Sequence, residues 1–459
     1  MRLSLQLGTS LSTLIVLASV SAAFAGDGWP SWRGPLGTGE APQADPPIEF
    51  GDEQNLRWKV EVPGNGKGTP IIHGDRVFVL TAEGVGEEIE PPAQPEREGG
   101  GGRGGRGGRG GRMRGVQPTR VQKFQVIALD RTDGSVAWKH APIERLPHEG
   151  THGDGSWASA SAVTDGEILL AHFGSFGLFA YDLEGKPLWE VQLGEMKTRN
   201  SFGEGASPAI HGDTVVVQWD HEGDDFIVAL DKKTGKEKWR RERDEPTTWA
   251  TPLIVEVGGK AQIIANATNA IVAYDLRSGK TVWECGGMTT NAIPSPVYAD
   301  GTVYVMSGFR GSKLVAIELK GAKGDITDSK KVVWSHDSDT PYVPSPLLVD
   351  GKLYFFKSNT GILSCFDAEK GESVFGPVRC ESIANVYASP VAAGGRVYLT
   401  GRDGEVEVLE IGDEYKLLAT NHFDDGFDAS PSIAGNELYL RGRSHVYCFA
   451  TDADQAREF

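Results

Sequence analysis

The 459-residue sequence has only four cysteines, Cys285, Cys365, Cys380 and Cys448, and no two form a CxxC pair. That distribution argues against a structural zinc site and against haem attachment through CxxCH. Cys365 and Cys380 alone lie close in sequence, and both a disulfide between them and a pair of buried free thiols fit that spacing. Helical periodicity is equally scarce, since few segments sustain it over the dozen or so residues of an ordinary helix. Beyond residue 25 no apolar stretch reaches the ~20 residues of a membrane span. Positive charge is short as well: 46 Lys and Arg stand against 63 Asp and Glu, for a net charge of −17. The average surface therefore repels nucleic acid and anionic membrane. No GxSxG, HExxH or phosphate-loop pattern offers a chemistry of its own.

What the chain has is glycine, 60 residues of it, within a 39% hydrophobic composition. A turn-dense, all-β protein with large cores follows. Residues 1–25 are predicted to be a secretory signal. Arg2 supplies the positive start, Leu11 to Val20 the apolar centre, and Ala23-Phe24-Ala25 a small-x-small cleavage site. The mature protein is expected to be exported, to the periplasm or the extracellular space. An uncleaved anchor is the alternative, and without a cysteine at the cleavage site no bacterial-type lipid anchor is expected.

Residues 206–239, ASPAIHGDTVVVQWDHEGDDFIVALDKKTGKEKW, read as four short strands and three turns. The strands begin at Ser207-Pro208, run over Thr214 to Trp219 and Phe226 to Leu230, and end with Glu237 to Arg240. The chain repeats this unit. A Ser/Thr-Pro pair opens each copy at Thr69, Ser207, Thr251, Ser295, Ser345, Ser389 and Ser430, with a Pro-less copy at Ser161. Spacings from Ser161 onward are 46, 44, 44, 50, 44 and 41 residues. Four strands per repeat at that period define a β-propeller rather than a helical solenoid. The first spacing, 92 residues, carries an acidic and Gly/Arg-rich insertion near 83–120, expected to be disordered, and a longer connection at 139–160.

A second motif, apolar-Asp-turn-Gly-x-x-Trp, ends at Trp138, Trp189, Trp239 and Trp283, with weaker copies at Trp334 and Phe375. Asp and Gly make the hairpin turn, and the indole seals one sheet against the next. The eighth repeat ends at Val446 to Ala450 without a fourth strand, whereas Leu56 to Val62, LRWKVEV, is an orphan fourth strand. The prediction is an all-β, eight-bladed, monomeric propeller over residues 56–459, closed by the N-terminal strand and preceded by a lead-in at 26–55 whose opening, Gly26 to Gly39, has no strand character.

These repeats resemble the PQQ-like propeller family, with its ALDxxTGxxxW tryptophan-docking motifs, over essentially the whole mature chain. Trp29-Pro30-Ser31-Trp32-Arg33-Gly34-Pro35 is similar to the opening of its exported WPxWRGP members. The resemblance implies the fold and leaves two functions open. One is a non-catalytic binding scaffold of the cell envelope, similar to BamB-type proteins, with a protein or envelope polymer as partner and no cofactor. The other is a dehydrogenase using pyrroloquinoline quinone and calcium, although the vicinal cysteines common in that group are absent here.

Turns between first and second strands, such as Gly212-Asp213, are tight and uniform; the loops at the other end of the disc vary, so any site belongs there. Trp157, Trp249, Asn291, Tyr342, Asn385 and Tyr387 are candidates to line a central funnel and hold a flat ligand. Arg310, Lys357, Arg402, Arg441 and Arg443 are candidates for an anion-binding arc. His148 and His152, four apart in LPHEGTHGDGSW, and Asp220 and Asp224 in an acidic loop that also reads as simply solvated, are the metal candidates. The tract GGGGRGGRGGRGGR, Gly99 to Arg112, is expected to be a disordered surface loop able to contact polyanions weakly.

Overall fold

Residues 27–90 and 114–451 are described by the computed structural model; the predicted signal segment and the Gly/Arg tract lie outside them. The repeats fold into eight sheets, each with a core of four antiparallel strands, set as the blades of a propeller. The first blade comprises Ile71–His73, Arg76–Val85, Val121–Asp130 and Val136–Arg145. The third comprises Ala209–His211, Thr214–Trp219, Phe226–Asp231 and Glu237–Glu242. Its second strand, TVVVQW, is buried at every position, because a neighbouring blade covers each face. Its outer strand buries Trp239 alone. In all eight blades a register shift in the third-to-fourth strand pairing falls beside the tryptophan or its counterpart. Such bulges increase local twist and aim the ring at the next blade.

All but one of the docking tryptophans reach across the blade boundary. The indole Nε1 of Trp58, Trp138, Trp189 and Trp239 donates to the backbone oxygen of Arg131, Leu183, Lys232 and Leu276 respectively, at 2.8–3.0 Å. The ring then rests on the turn glycine beyond. At Gly279, where φ is +65°, an added Cβ would lie 2.5 Å from Trp239. Trp283 departs from the pattern and bonds Gln262 Oε1 of its own blade at 3.2 Å. The 50-residue repeat explains this. Its extra residues form a short strand, Gly324–Asp325, that pairs in parallel with Trp283 and Glu284 and buries that ring completely.

The ring closes as the orphan-strand reading requires. Leu56–Glu61 pairs antiparallel with His445–Ala450, placing Trp58 opposite Cys448 and Val60 opposite Val446. The lead-in is more structured than its sequence suggests. Trp29 bridges Ile72 of the first blade, and Glu40–Ala41 pairs with Ala392 and Ala393 of the seventh. Between them the chain crosses the central channel at the uniform-turn end. There Arg33 is buried and donates to the carbonyls of Thr38, Pro346 and Pro390 at 2.8–3.2 Å. Burial with no carboxylate beside it pulls its pKa down to about 9.

The hairpin carrying the insertion is also longer than the sequence indicates. Pairing continues to Val85 opposite Val121, and Ile89 N–H still donates to Thr119. All four cysteines are buried and free, so Cys365 and Cys380 are thiols.

Around the channel the Ser/Thr residues of the first strands form a chain of hydrogen bonds. Each backbone N–H donates to the hydroxyl one blade ahead: Thr69 to Ser161, Ser161 to Ser207, and onward to Ser389 and Ser430, at 2.8–3.1 Å. Replacing Ser345 by Ala leaves the buried Ser295 N–H without its acceptor and is expected to cost about 1–3 kcal/mol in denaturant unfolding, with Ser345→Thr close to wild type. Trp58→Ala, at the closing strand, is expected to cost about 3–5 kcal/mol by the same measurement, while exposed Lys59→Ala stays near zero.

Candidate functional site

At the variable-loop end the channel widens into a funnel of about 220 Å³. Trp32 of the lead-in is its floor, and the hydroxyl residues Thr69, Ser161, Ser207, Thr251 and Ser430 ring its lower wall. Higher up, Phe202, Trp249, Tyr342 and Tyr387 supply aromatic surface, and Asp154, Glu204, Asp428, Lys67 and His152 supply charge or polarity. The inter-blade connections put them there, since each enters the hub just before its Ser/Thr-Pro pair.

One network organises the charge. Arg402 donates to Asp154 Oδ1 at 2.9 Å and to Asp428 Oδ1 at 2.6 Å. Lys67 donates to Asp428 Oδ2 at 2.7 Å, and Tyr387 Oη to Asp154 Oδ2 at 3.0 Å. The Arg402 guanidinium lies 3.9 Å from the Tyr387 ring centre. The bond from Arg402 holds Asp154 below the usual carboxylate range. This network ties the loop before the second blade to the seventh and eighth, across the funnel mouth.

A side chamber of about 20 Å³ opens beside Trp249 and shares Ser159, Glu204 and Gly205 with the funnel wall. Glu204 accepts from Ser175 N–H at 2.7 Å and from Ser175 Oγ at 2.6 Å, and burial pushes its pKa up to about 7.

Of the residues singled out for the funnel, Trp249, Tyr342 and Tyr387 line it and Trp157 lines the side chamber. Asn291 is buried behind Tyr342, 3.4 Å from its hydroxyl, and Asn385 is exposed in a bridge with Thr360. The cation arc is dispersed. Lys357 pairs with Asp339 at 2.6 Å and Arg402 with its two aspartates. Arg441 is not a surface group at all: it is 4% exposed and donates to Leu80 O, with its pKa drawn down to about 10 by burial. Arg310 and Arg443 are exposed.

The metal candidates do not converge. His148 Nε2 lies 2.7 Å from Met196 O, whereas His152 is at the funnel beside Asp154. Asp220, read from sequence as part of a solvated loop, is buried against Arg243 at 2.6 Å, and Asp224 is exposed. Among the described residues no three His, Cys, Asp or Glu side chains come together as a metal site. Lys67, Asp428, Glu204, His172 and Gln218 escaped the sequence reading. The first two stand two residues before Ser/Thr-Pro pairs, a position that could have found them.

These features define an eight-bladed propeller with tryptophan-docked blades and a plugged, funnel-shaped hub. The family described as "Outer membrane protein assembly factor BamB" matches residues 122–376, more than half of the sequence, and the chain belongs to it. It is 22% identical over 292 residues to the outer membrane protein assembly factor BamB of Burkholderia pseudomallei, covering 62% of this chain and 72% of that one. The BamB structure from Moraxella catarrhalis superposes with a TM-score of 0.53 at 17% identity, covering 71% of this chain and 91% of that one. A europium-containing methanol dehydrogenase superposes at 0.62 with 11% identity, covering 93% and 98%. These structural likenesses concern the fold.

The Glu204 carboxyl yields a prediction. Its pKa rises on folding from 4.5 to about 7, so its contribution to stability is complete below the unfolded value and is lost as pH climbs through about 7. Glu204→Gln removes the titration. Its melting temperature relative to the parent should rise between about pH 5 and pH 8, and a pH-independent difference would contradict the assignment.

Proposed function

We propose that the protein is an exported, non-catalytic binding scaffold of the cell envelope that receives a protein or envelope-polymer partner on its variable-loop face. Its relatives named as outer membrane assembly factors support a periplasmic setting and a partner-binding role. The observation that carries the reading is the charge network at the funnel mouth. Lys67, Arg402, Asp154 and Asp428 are joined to one another, and Tyr387 is held on Asp154. Such a network fixes a recognition surface in advance of binding, which lowers the ordering cost of association.

The dehydrogenase alternative does not fit these residues. Pyrroloquinoline quinone is a polycarboxylate and needs cationic or donor groups free to meet it. Here Lys67 and Arg402 are matched one for one by Asp428 and Asp154, and the surplus group of the wall is the carboxylate of Glu204. A calcium ion needs a convergent oxygen cage, and Asp220 is already tied to Arg243, Gln218 and Thr248.

Two measurements test the reading. Titration with pyrroloquinoline quinone and calcium, followed by absorbance and dye-linked alcohol oxidation, is expected to give no saturable signal at micromolar cofactor. Saturation with turnover would replace the scaffold reading by the enzyme one. Photo-crosslinkers at Arg310 or Tyr342 should capture envelope partners in the exporting cell, and one at Asp213, on the uniform-turn face, should not; the reverse pattern would overturn the choice of face.

A further inference from the structure

We propose that the side chamber framed by His172, Gln218, Glu204 and Trp249 is a subsite for the primary ammonium group of a ligand whose aliphatic body lies along the funnel wall. The argument goes beyond the scaffold reading and rests on unmet hydrogen-bonding capacity. The imidazole Nδ1 of His172 faces Ala206 O at 3.2 Å, so Nδ1–H donates and Nε2 is left as a lone pair. That Nε2 has no partner among the described residues, and the side chain is 2% exposed. Burial draws the imidazole pKa down to about 4, which keeps the ring a neutral acceptor.

Gln218, also 2% exposed, presents a second acceptor. Its amide nitrogen faces Asp220 Oδ2 at 2.6 Å, Thr248 Oγ1 at 3.1 Å and Asn266 O at 3.0 Å. Those three contacts fix the amide orientation and leave Oε1 without a partner among the described residues. The residues that carry these two bare acceptors, and the carboxyl group of Glu204, therefore line a space that holds one water-sized group. An ammonium supplies three donors of that size; a hydroxyl supplies one, and an anion or quaternary ammonium none. The local charge agrees. Asp154 and Asp428 are neutralised by Arg402 and Lys67, so Glu204 is the carboxyl of the wall without a cation pair, and an incoming ammonium favours its ionised form. Trp249 and Gly205 belong to both spaces, so a chain attached to the ammonium passes directly into the aromatic funnel.

Calorimetric titration of the mature protein with hexylamine, hexanol, hexanoate and trimethylhexylammonium tests the proposal. Hexylamine should bind with a millimolar dissociation constant and the other three about tenfold more weakly or not at all. Glu204→Gln should weaken hexylamine about tenfold. Gly205→Ala serves as a second variant that keeps the fold. Its φ is unstrained, and the added Cβ would meet Trp249 and Ser159 at 3.4 and 3.8 Å, narrowing the mouth of the chamber without a clash. It should weaken hexylamine while leaving the melting temperature unchanged. Equal binding of all four compounds, hexylamine affinity unmoved in both variants, or a hexylamine-soaked crystal with only a water in the chamber would each overturn the proposal. None of these outcomes bears on the quinone titration or the crosslinking, which report on the scaffold reading separately.

Discussion

The hub depends on one repeated hydrogen bond, from a backbone N–H at the start of each blade to the hydroxyl of Ser or Thr one blade ahead. The innermost strand of a blade is a sheet edge, and an edge exposes donors that need partners. The Ser/Thr-Pro pair meets this need in two ways. The hydroxyl accepts the neighbour's N–H, and the proline that follows has no N–H to satisfy. Its carbonyl stays available, and Arg33 takes those of Pro346 and Pro390. Seven such N–H-to-hydroxyl links are present among the described residues, spanning Thr69 to Ser430. At the seam between last and first blades, side chains make further joints: Arg441 to Leu80 O, Lys67 to Asp428, and Arg131 to Glu437 at 2.5 Å. At the rim the indoles of Trp58, Trp138, Trp189, Trp239 and Trp334 do the corresponding work, each fastening one blade to the turn of the next. Hub and rim together fix the angle between neighbours, and the loops that build the funnel inherit that precision.

The lead-in shows how the hub is closed. A guanidinium buried with three carbonyls and no carboxylate is an expensive arrangement, since carbonyl dipoles replace hydration only in part. The fold tolerates it because Arg33 lies where carbonyls from two blades and the lead-in itself converge. The close fit extends to Gly39, where an added Cβ would stand 2.2 Å from Arg33 Nη2. With Trp32 above it, the same turn of chain is both the bolt across the uniform-turn end and the floor of the funnel. Structure at one end of the disc thereby sets the depth of the site at the other.

The architecture was legible because its determinants are local and repeated. The strand run Thr214 to Trp219, the Asp-to-Gly turn before Trp239 and the orphan strand around Trp58 each carry their meaning within a dozen residues. The role of the Ser/Thr hydroxyls was hidden by distance, since donor and acceptor stand 41 to 92 residues apart. The site was legible in outline only. Trp249, Tyr342 and Tyr387 could be placed because each stands two or three residues before its Ser/Thr-Pro pair. Whether a charge faces solvent is decided by its partner, and Asp220 with Arg243, or Arg402 with Asp154, are pairings between segments that no local pattern connects. Arg441 shows the same limit from the other side: it sits at the end of a second strand, where the side chain turns inward over Leu80 rather than toward the funnel.

The funnel's selectivity follows from which of its groups are already satisfied. A wall whose cations are each held by a carboxylate offers little to an anion, because binding would have to break a charge-assisted bond before making one. An acceptor without a donor behaves oppositely, since any donor that reaches it regains hydration lost on folding. In this hub the satisfied groups, Arg402 and Lys67 with Asp154 and Asp428, lie toward the mouth, and the unsatisfied acceptors, His172 Nε2 and Gln218 Oε1, lie in the side chamber behind Trp249. Other buried acceptors without a partner among the described residues, such as Asn266 Oδ1 and Asn291 Oδ1, belong to residues that line neither the funnel nor the side chamber. The two that belong to residues of a chamber wall come from the second and third blades. That is the part of a repeated scaffold where residues are released from holding the ring and become free to recognise something else.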